Sequence, residues 1–257
     1  MRNCILILAA VLISNISQSQ KLTIGQSGGY EFALGKRRSS NQIYNFNQDM
    51  LFFQPFVLTY WFNKKLGIQA VGQVSPYVKD AKPEHVKLPV PSGSELYLYN
   101  SEDYLSDGQG TLQLRIGLVY NIERQKWAFR PRLLAGLTML DNIPETTLTL
   151  KEKNTNIYFL DNFRPEGRDY AHLSLFLISG GINVSRALSP RFSLTADILY
   201  SHAGNTLPVL RTLTNVYTNQ QTEQAFRETI RLNSVAVGIG FSIKLGQLKK
   251  EEELLRE

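Results

Sequence analysis

Between residues 110 and 140 the chain alternates apolar and polar side chains along two long arms. In the first arm Leu112, Leu114, Ile116, Leu118 and Tyr120 fall on one face. Thr111, Gln113, Arg115, Gly117 and Asn121 fall on the other, with Val119 the exception. In the second arm Trp127, Phe129, Leu133, Ala135, Leu137 and Met139 oppose Arg130, Arg132, Gly136 and Thr138, with Leu134 the exception. A period of two predicts strands. The intervening IERQK is short and polar, and aromatic residues flank it, so the arms form a hairpin. Arginines on one face and a long apolar row on the other suit a membrane barrel, which turns apolar side chains to lipid and polar ones to its lumen.

The same period recurs along the chain. Residues 21–34 set Leu22, Ile24, Tyr30, Phe32 and Leu34 against Thr23, Gly25, Ser27, Gly29 and Glu31. Residues 50–62 (MLFFQPFVLTYWF) are apolar on both faces, so their facing stays open, and Pro55 marks an irregularity in the strand. After a tight turn at 63–65, residues 67–78 return as a third strand, with Gln69, Gln73 and Ser75 on its polar face. The 110–140 hairpin supplies the fourth and fifth strands. Residues 170–184 predict the sixth and 191–202 the seventh, with Ser193, Thr195, Asp197 and Ser201 on one face. Residues 229–245 predict the last. Residues 36–48, 79–109, 141–169 and 204–228 read as long loops. Within the third of these, TLTL and IYFL flank KEKNTN as a hairpin standing clear of the barrel.

The prediction is therefore all-β: an eight-stranded antiparallel up-and-down transmembrane β-barrel with long extracellular loops and short periplasmic turns. Tyr60, Trp61, Phe62, Tyr120, Trp127 and Phe192 stand beside the short turns. Tyr30, Phe32, Phe52, Phe53, Tyr77, Tyr170 and Tyr200 stand at the opposite ends, so two interfacial girdles are expected.

The ends of the chain fit export. Arg2 precedes the short apolar run CILILAAVLI, and Ser17-Gln18-Ser19 offers a small-x-small cleavage site, so residues 1–19 read as a signal peptide. Residues 20–246 then form the barrel, and 247–257 a charged periplasmic tail. The single cysteine, Cys4, leaves with the signal, so the mature chain is expected to hold no disulfide and no thiolate site. The formal charge of +6 comes from scattered basic residues, which does not point to nucleic acid. Outer-membrane lipid and lipopolysaccharide phosphates are the expected contacts.

With these features in place, the chain resembles the small OmpA/OmpX-type barrels, and especially the PorT-like outer-membrane barrels of the Bacteroidota. Gly238, Phe241 and Ile243 match a closing-strand motif of the form Gly-x-x-aromatic-x-hydrophobic, while Ala236 departs from the polar residue expected there. The resemblance implies adhesion, a secretion-associated role or another role in the envelope.

Three groups of residues are candidates for function. Glu31, Arg115, Arg130, Arg132, Asp197 and Lys244 share the inward parity and predict a lumen charge network, because buried charges must pair. Tyr97, Tyr99 and Tyr104 in the second loop, and Tyr158 and Phe159 in the third, are loop contact candidates for an extracellular or envelope protein partner. His172 and Ser174 form a weak alternative catalytic pair, base and nucleophile, like the His-x-Ser of lipid A deacylase barrels. Asp197 is the candidate to orient the base, and Leu173, Leu175 and Leu177 read as the lipid-facing row. His85 is isolated and no metal-ligand spacing occurs, so neither a metal nor another cofactor is expected. The other alternative is a soluble lipocalin-like barrel, which needs apolar side chains inside.

Overall fold

A computed structural model describes residues 21–34, 49–76, 93–100, 110–141, 146–166 and 172–245. The signal peptide, the tail, Tyr77, His85, Tyr104 and Tyr170 lie outside the described residues. The elements are β1 (Lys21–Ala33), β2 (Met50–Trp61), β3 (Leu66–Pro76), β4 (Ser94–Asn100), β5 (Gly110–Tyr120) and β6 (Ile122–Arg124). They continue with β7 (Trp127–Asp141), β8 (Thr146–Glu152), β9 (Tyr158–Pro165), β10 (His172–Ala187), β11 (Phe192–Asn215) and β12 (Gln221–Leu245).

All twelve strands belong to one antiparallel sheet. Eight of them pair in the order β10-β7-β5-β3-β2-β1-β12-β11, and β11 pairs back onto β10, so these eight join in a ring. The shorter strands β9, β8 and β4 continue outward from β11. The sequence led to eight strands and four long loops. Eight strands form the ring, and in addition the chain lengthens its last two strands and pairs β9, β8 and β4 onto them in the same sheet.

The alternation read from residues 110–140 sets which way each side chain points. Leu112, Leu114, Ile116 and Leu118 of β5 are exposed on the outside, and Thr111, Gln113, Arg115 and Val119 are buried inside. In β7, Leu133 and Leu137 are exposed, whereas Arg130, Arg132 and Leu134 are buried. The exceptions Val119 and Leu134 obey the strand parity and simply add apolar volume to the interior.

The open facing of β2 has a structural cause. Register slips by one residue between Phe53 and Phe56 against β3, and between Gly25 and Ser27 against β1. This is a β-bulge at Pro55, a residue that has no ladder N–H to lose. An extra residue reverses the parity. Met50, Phe52 and Gln54 face inward before the bulge, and Thr59 and Trp61 face inward after it. Two aromatics assigned to the girdles are therefore inside: Phe52, packed with Leu199 and Ala236, and Trp61.

Residues 204–228 are not a loop. The β11–β12 register runs without a break from Phe192↔Ile243 to Thr214↔Gln221. A turn then closes the pair. Asn215 Oδ1 accepts from the N–H groups of Tyr217 and Thr218, and Asn219 takes φ +56°. The KEKNTN hairpin, now β8–β9, does not stand clear either. β9 pairs with the outer part of β11, from Val209↔Pro165 to Asn215↔Phe159.

β5 and β7 approach closely at Gly136, which pairs with Arg115. A Cβ on Gly136 would meet the carbonyl oxygen of Leu114, a backbone atom that cannot swing aside. Gly136→Val is therefore expected to block ring assembly, and Gly180→Ala, which has open space, to leave it intact. Folding yield in detergent, read by the heat-dependent gel shift, checks the contrast.

Candidate functional site

The site is the interior of the ring, a stack of polar layers closed at one end by an apolar core. At the short-turn end the bulge has turned Trp61 inward, where its Nε1–H donates to Thr23 Oγ1 at 3.2 Å. The Arg130 guanidinium lies over the Trp61 ring, 5.6 Å from its centroid. Arg130 Nε donates to Asn121 Oδ1 at 3.1 Å. Asn121 Nδ2 donates in turn to Glu123 Oε1 at 2.9 Å and to the Lys64 carbonyl at 3.2 Å. With Lys244, these residues line a cavity of about 200 Å3.

One layer deeper, Arg132 Nη2 donates to Asp197 Oδ1 at 2.7 Å, and both residues are buried. The same oxygen accepts from Asn183 Nδ2 at 2.9 Å. Arg132 Nη1 donates to Gln69 Oε1 at 2.9 Å, and Gln69 Nε2 to Thr59 Oγ1 at 2.9 Å. A void of about 20 Å3 beside Thr23, Ser27, Arg130 and Asp197 has room for one water.

In the next layer Gln73 is the hub. It accepts at Oε1 from Arg115 Nη2 and from Gln54 Nε2, the latter at 3.0 Å. Its own Nε2 donates to Glu31 Oε2 at 2.9 Å and to Ser75 Oγ at 3.0 Å. Ser27 Oγ donates to Gln54 Oε1 at 2.7 Å.

Above these layers the interior becomes apolar. Leu140, Leu173, Leu175, Leu177, Ala203, Leu207 and Ile230 line the ring's upper wall, and Leu148, Leu150 and Phe163 of the β8–β9 hairpin pack among them. Leu175, Leu207 and Ile230 are completely buried. The hairpin thus caps the lumen. Beyond the cap Asp161 grips Arg211 with two bonds, to Nε at 2.7 Å and Nη2 at 2.6 Å, while Arg211 stacks on Phe163 at 5.4 Å. These bonds raise the Arg211 guanidinium above its ordinary value.

The structure places Glu31, Arg115, Arg130, Arg132 and Asp197 together inside the ring and Lys244, half-buried, at its mouth. Arg132 pairs directly with Asp197. Arg115 reaches Glu31 through Gln73, and Arg130 is held by Asn121. Sequence reasoning assigned no role to these linking amides, Gln54, Gln69, Gln73, Asn121 and Asn183. Their inward parity was the available signal.

The catalytic alternative fares differently. Leu173, Leu175 and Leu177 face the core, not lipid, and Ser174 is exposed on the outside. The reversal arises because the upper lumen is itself apolar, so the leucine row marks the cap. Asp197 lies inside, bound to Arg132 and Asn183, on the opposite face of the sheet from Ser174. The side chain of His172 is outside the described residues. Among the described residues no three His, Cys, Asp or Glu side chains gather as a metal site.

Of the loop contact candidates, Tyr97 is 61% exposed and meets Tyr158 edge-on, with ring centroids 5.0 Å apart. Tyr158 is half-buried, and Phe159 packs against the cap. The side chain of Tyr99 lies outside the described residues. Near Tyr97 and Tyr158, Leu160 is exposed, as are Val216 and Tyr217 in the adjoining turn, where Val216 N–H donates to the Tyr158 carbonyl.

No family profile matches the chain, and no curated protein does. Among solved structures it is similar to a major outer membrane protein from Thermus thermophilus, at 8% identity and a TM-score of 0.44, covering 89% of this chain and 100% of that one. It is also similar to Neisserial surface protein A, at 10% identity and a TM-score of 0.42 over 88% of this chain and 97% of that one. The N-terminal β-barrel domain of Pseudomonas aeruginosa OprF is similar at 9% identity and a TM-score of 0.33, covering 88% and 97% respectively.

Proposed function

We propose that the chain is an integral outer-membrane β-barrel, non-enzymatic, with a sealed lumen and projecting strands that offer a contact surface to an envelope or extracellular partner. The inverted burial carries this reading. Ile116, Leu133, Phe176, Ile198 and Ile239 are more than half exposed on the outside of the ring, and Ile239 reaches 72%. Charged and amide side chains fill the layers inside the ring below the apolar cap. In water such a belt far exceeds the apolar patches that soluble proteins carry. Lipid covers it, and strands of 11 to 13 residues in β1, β2, β3 and β5 suffice to cross. Trp127 and Phe62 project outward beside the short turns, where an interface belongs.

The polar interior opposes the lipocalin-like alternative. The separation of Ser174 from Asp197 opposes the lipid A-modifying one. The outward Phe241 and Ile243 and the inward Gly238 keep the PorT-like resemblance in this reading. The extension of β11, β12, β9, β8 and β4 then stands on the outer surface, with Tyr97, Tyr158 and Tyr217 as contact residues for a protein, glycan or matrix component.

Fractionation of the native host tests the proposal. The chain is expected in the outer-membrane fraction, with different mobility in unboiled and boiled samples. Protease added to intact cells is expected to cut within the extension. Recovery in the soluble periplasmic fraction would reject the membrane assignment.

A further inference from the structure

The lumen is not equally closed at its two ends. The cap seals one end with leucines, while the short-turn end keeps a cavity of about 200 Å3. Three cationic residues line that cavity, Lys64, Arg130 and Lys244, against one carboxylate, Glu123, leaving two positive charges in excess. Glu123 Oε1 accepts from Asn121, and Asp197 lies beside Arg130 in the adjoining void, one layer deeper.

Arg130 is 8% exposed and held from two sides. Its Nε is fixed by Asn121, and its plane rests on Trp61. Asn121 is itself anchored, because its backbone N–H donates to the Lys65 carbonyl at 2.6 Å. The guanidinium edge carrying Nη1 and Nη2 is therefore oriented in advance, and it makes no hydrogen bond to the described residues. A preset planar fork with two further cations around an open recess is the chemistry that recognises an oxyanion by paired N–H donors. The volume is several times that of a water molecule and accepts a phosphate group with part of what it is attached to.

We propose that the short-turn mouth of the ring is a phosphate-binding site, with the Arg130 fork as its anchor and Lys64 and Lys244 as its rim charges. The inference stands on the mouth's own geometry and does not depend on the barrel's location or on its outer partner.

The test is calorimetric titration of the folded full chain in a non-ionic detergent with inorganic phosphate, glycerol phosphate and a short-chain phosphatidic acid. Saturable one-to-one binding of phosphate is expected, weakening as salt is raised. Lys244→Gln, a half-buried rim change that leaves the ring's layers alone, is expected to raise Kd at least about tenfold, the size of one lost charge-assisted bond. Arg130→Lys keeps the charge and loses the fork, and the same rise is expected there. Tighter binding of the short-chain lipid than of glycerol phosphate assigns the group to a membrane headgroup, and equal binding assigns it to a soluble phosphate compound. Absence of saturable phosphate binding, or an unchanged Kd in Lys244→Gln, overturns the proposal.

Discussion

Asp197→Ala is expected to destabilise the protein by about 3–5 kcal/mol, because it leaves Arg132 charged and buried with its partner gone. Asp197 Oδ1 serves Arg132 at 2.7 Å and Asn183 at 2.9 Å, so one truncation strands two donors. Among the described residues Gln69 then remains on Arg132, through Nη1. Asp197→Asn keeps both bonds sterically possible and removes the charge pairing, so its cost should be smaller. The double change Arg132→Met with Asp197→Leu removes both charges and is expected to recover much of the loss, since a buried ion pair contributes little over apolar residues of similar size. Urea midpoints of the folded protein in detergent, followed by the heat-dependent gel shift, order the four proteins. A single Asp197→Ala as stable as the parent would show that water reaches Arg132 and that the layer is not closed.

The second large effect lies at the cap. Leu148 and Leu150 are each 1% exposed, among Leu175, Leu177, Leu207 and Ile230. Leu148→Asp places an unpaired carboxylate there, at a cost of several kcal/mol. The eight-strand ring does not need the hairpin for its own pairing, so the cap is expected to open while the ring holds. Each 1.4 kcal/mol is about tenfold in the open fraction. The parent is expected to show no conductance in a planar bilayer, and Leu148→Asp to show discrete openings. The chain offers a second readout, because Cys4 is its only cysteine and falls in the predicted signal. In a Ser201→Cys background, a thiol just below the cap should label slowly in the parent and at least about tenfold faster once Leu148→Asp is added. Equal labelling would mean that the apolar core is not the seal. Removing residues 148–160 outright is a poor probe of partner binding, because it strips Leu148 and Leu150 from this core and exposes the leucines of β10.

The facing of most ring residues was legible from the sequence. In β5 and β7 a period of two leaves each side chain only one face to choose, and the face with Arg115, Arg130 and Arg132 has to be the enclosed one once the other is uniformly apolar. The inward place of Glu31 and Asp197 followed by the same rule. β2 resisted, because a single extra residue at Pro55 reverses the parity, and nothing within the strand says on which side of the slip each aromatic falls. Position along the strand puts Trp61 and Phe52 at the interfacial girdles, while the alternation leaves their facing open.

The length of β11 and β12 was hidden by composition. Outside the lipid belt a strand can be rich in Thr, Asn and Gln, which are also loop residues, and only the partner strand's register shows that Thr212 still faces Glu223. The cap was hidden by distance along the chain. Leu173, Leu175 and Leu177 look like a lipid-facing row until the β8–β9 hairpin is seen to lie on them.

By itself, then, the sequence determined an all-β chain of alternating strands with its charges on one face, because alternation is a local property of neighbouring residues. Tertiary structure alone decided that the last strands run on past the ring and that leucines seal the lumen's upper end. It also decided that Gln73 joins Arg115 to Glu31, and that Trp61 turns inward to hold Arg130. Each of these depends on contacts between strands far apart in the chain, which exist only once the strands have found their registers and the ring has closed.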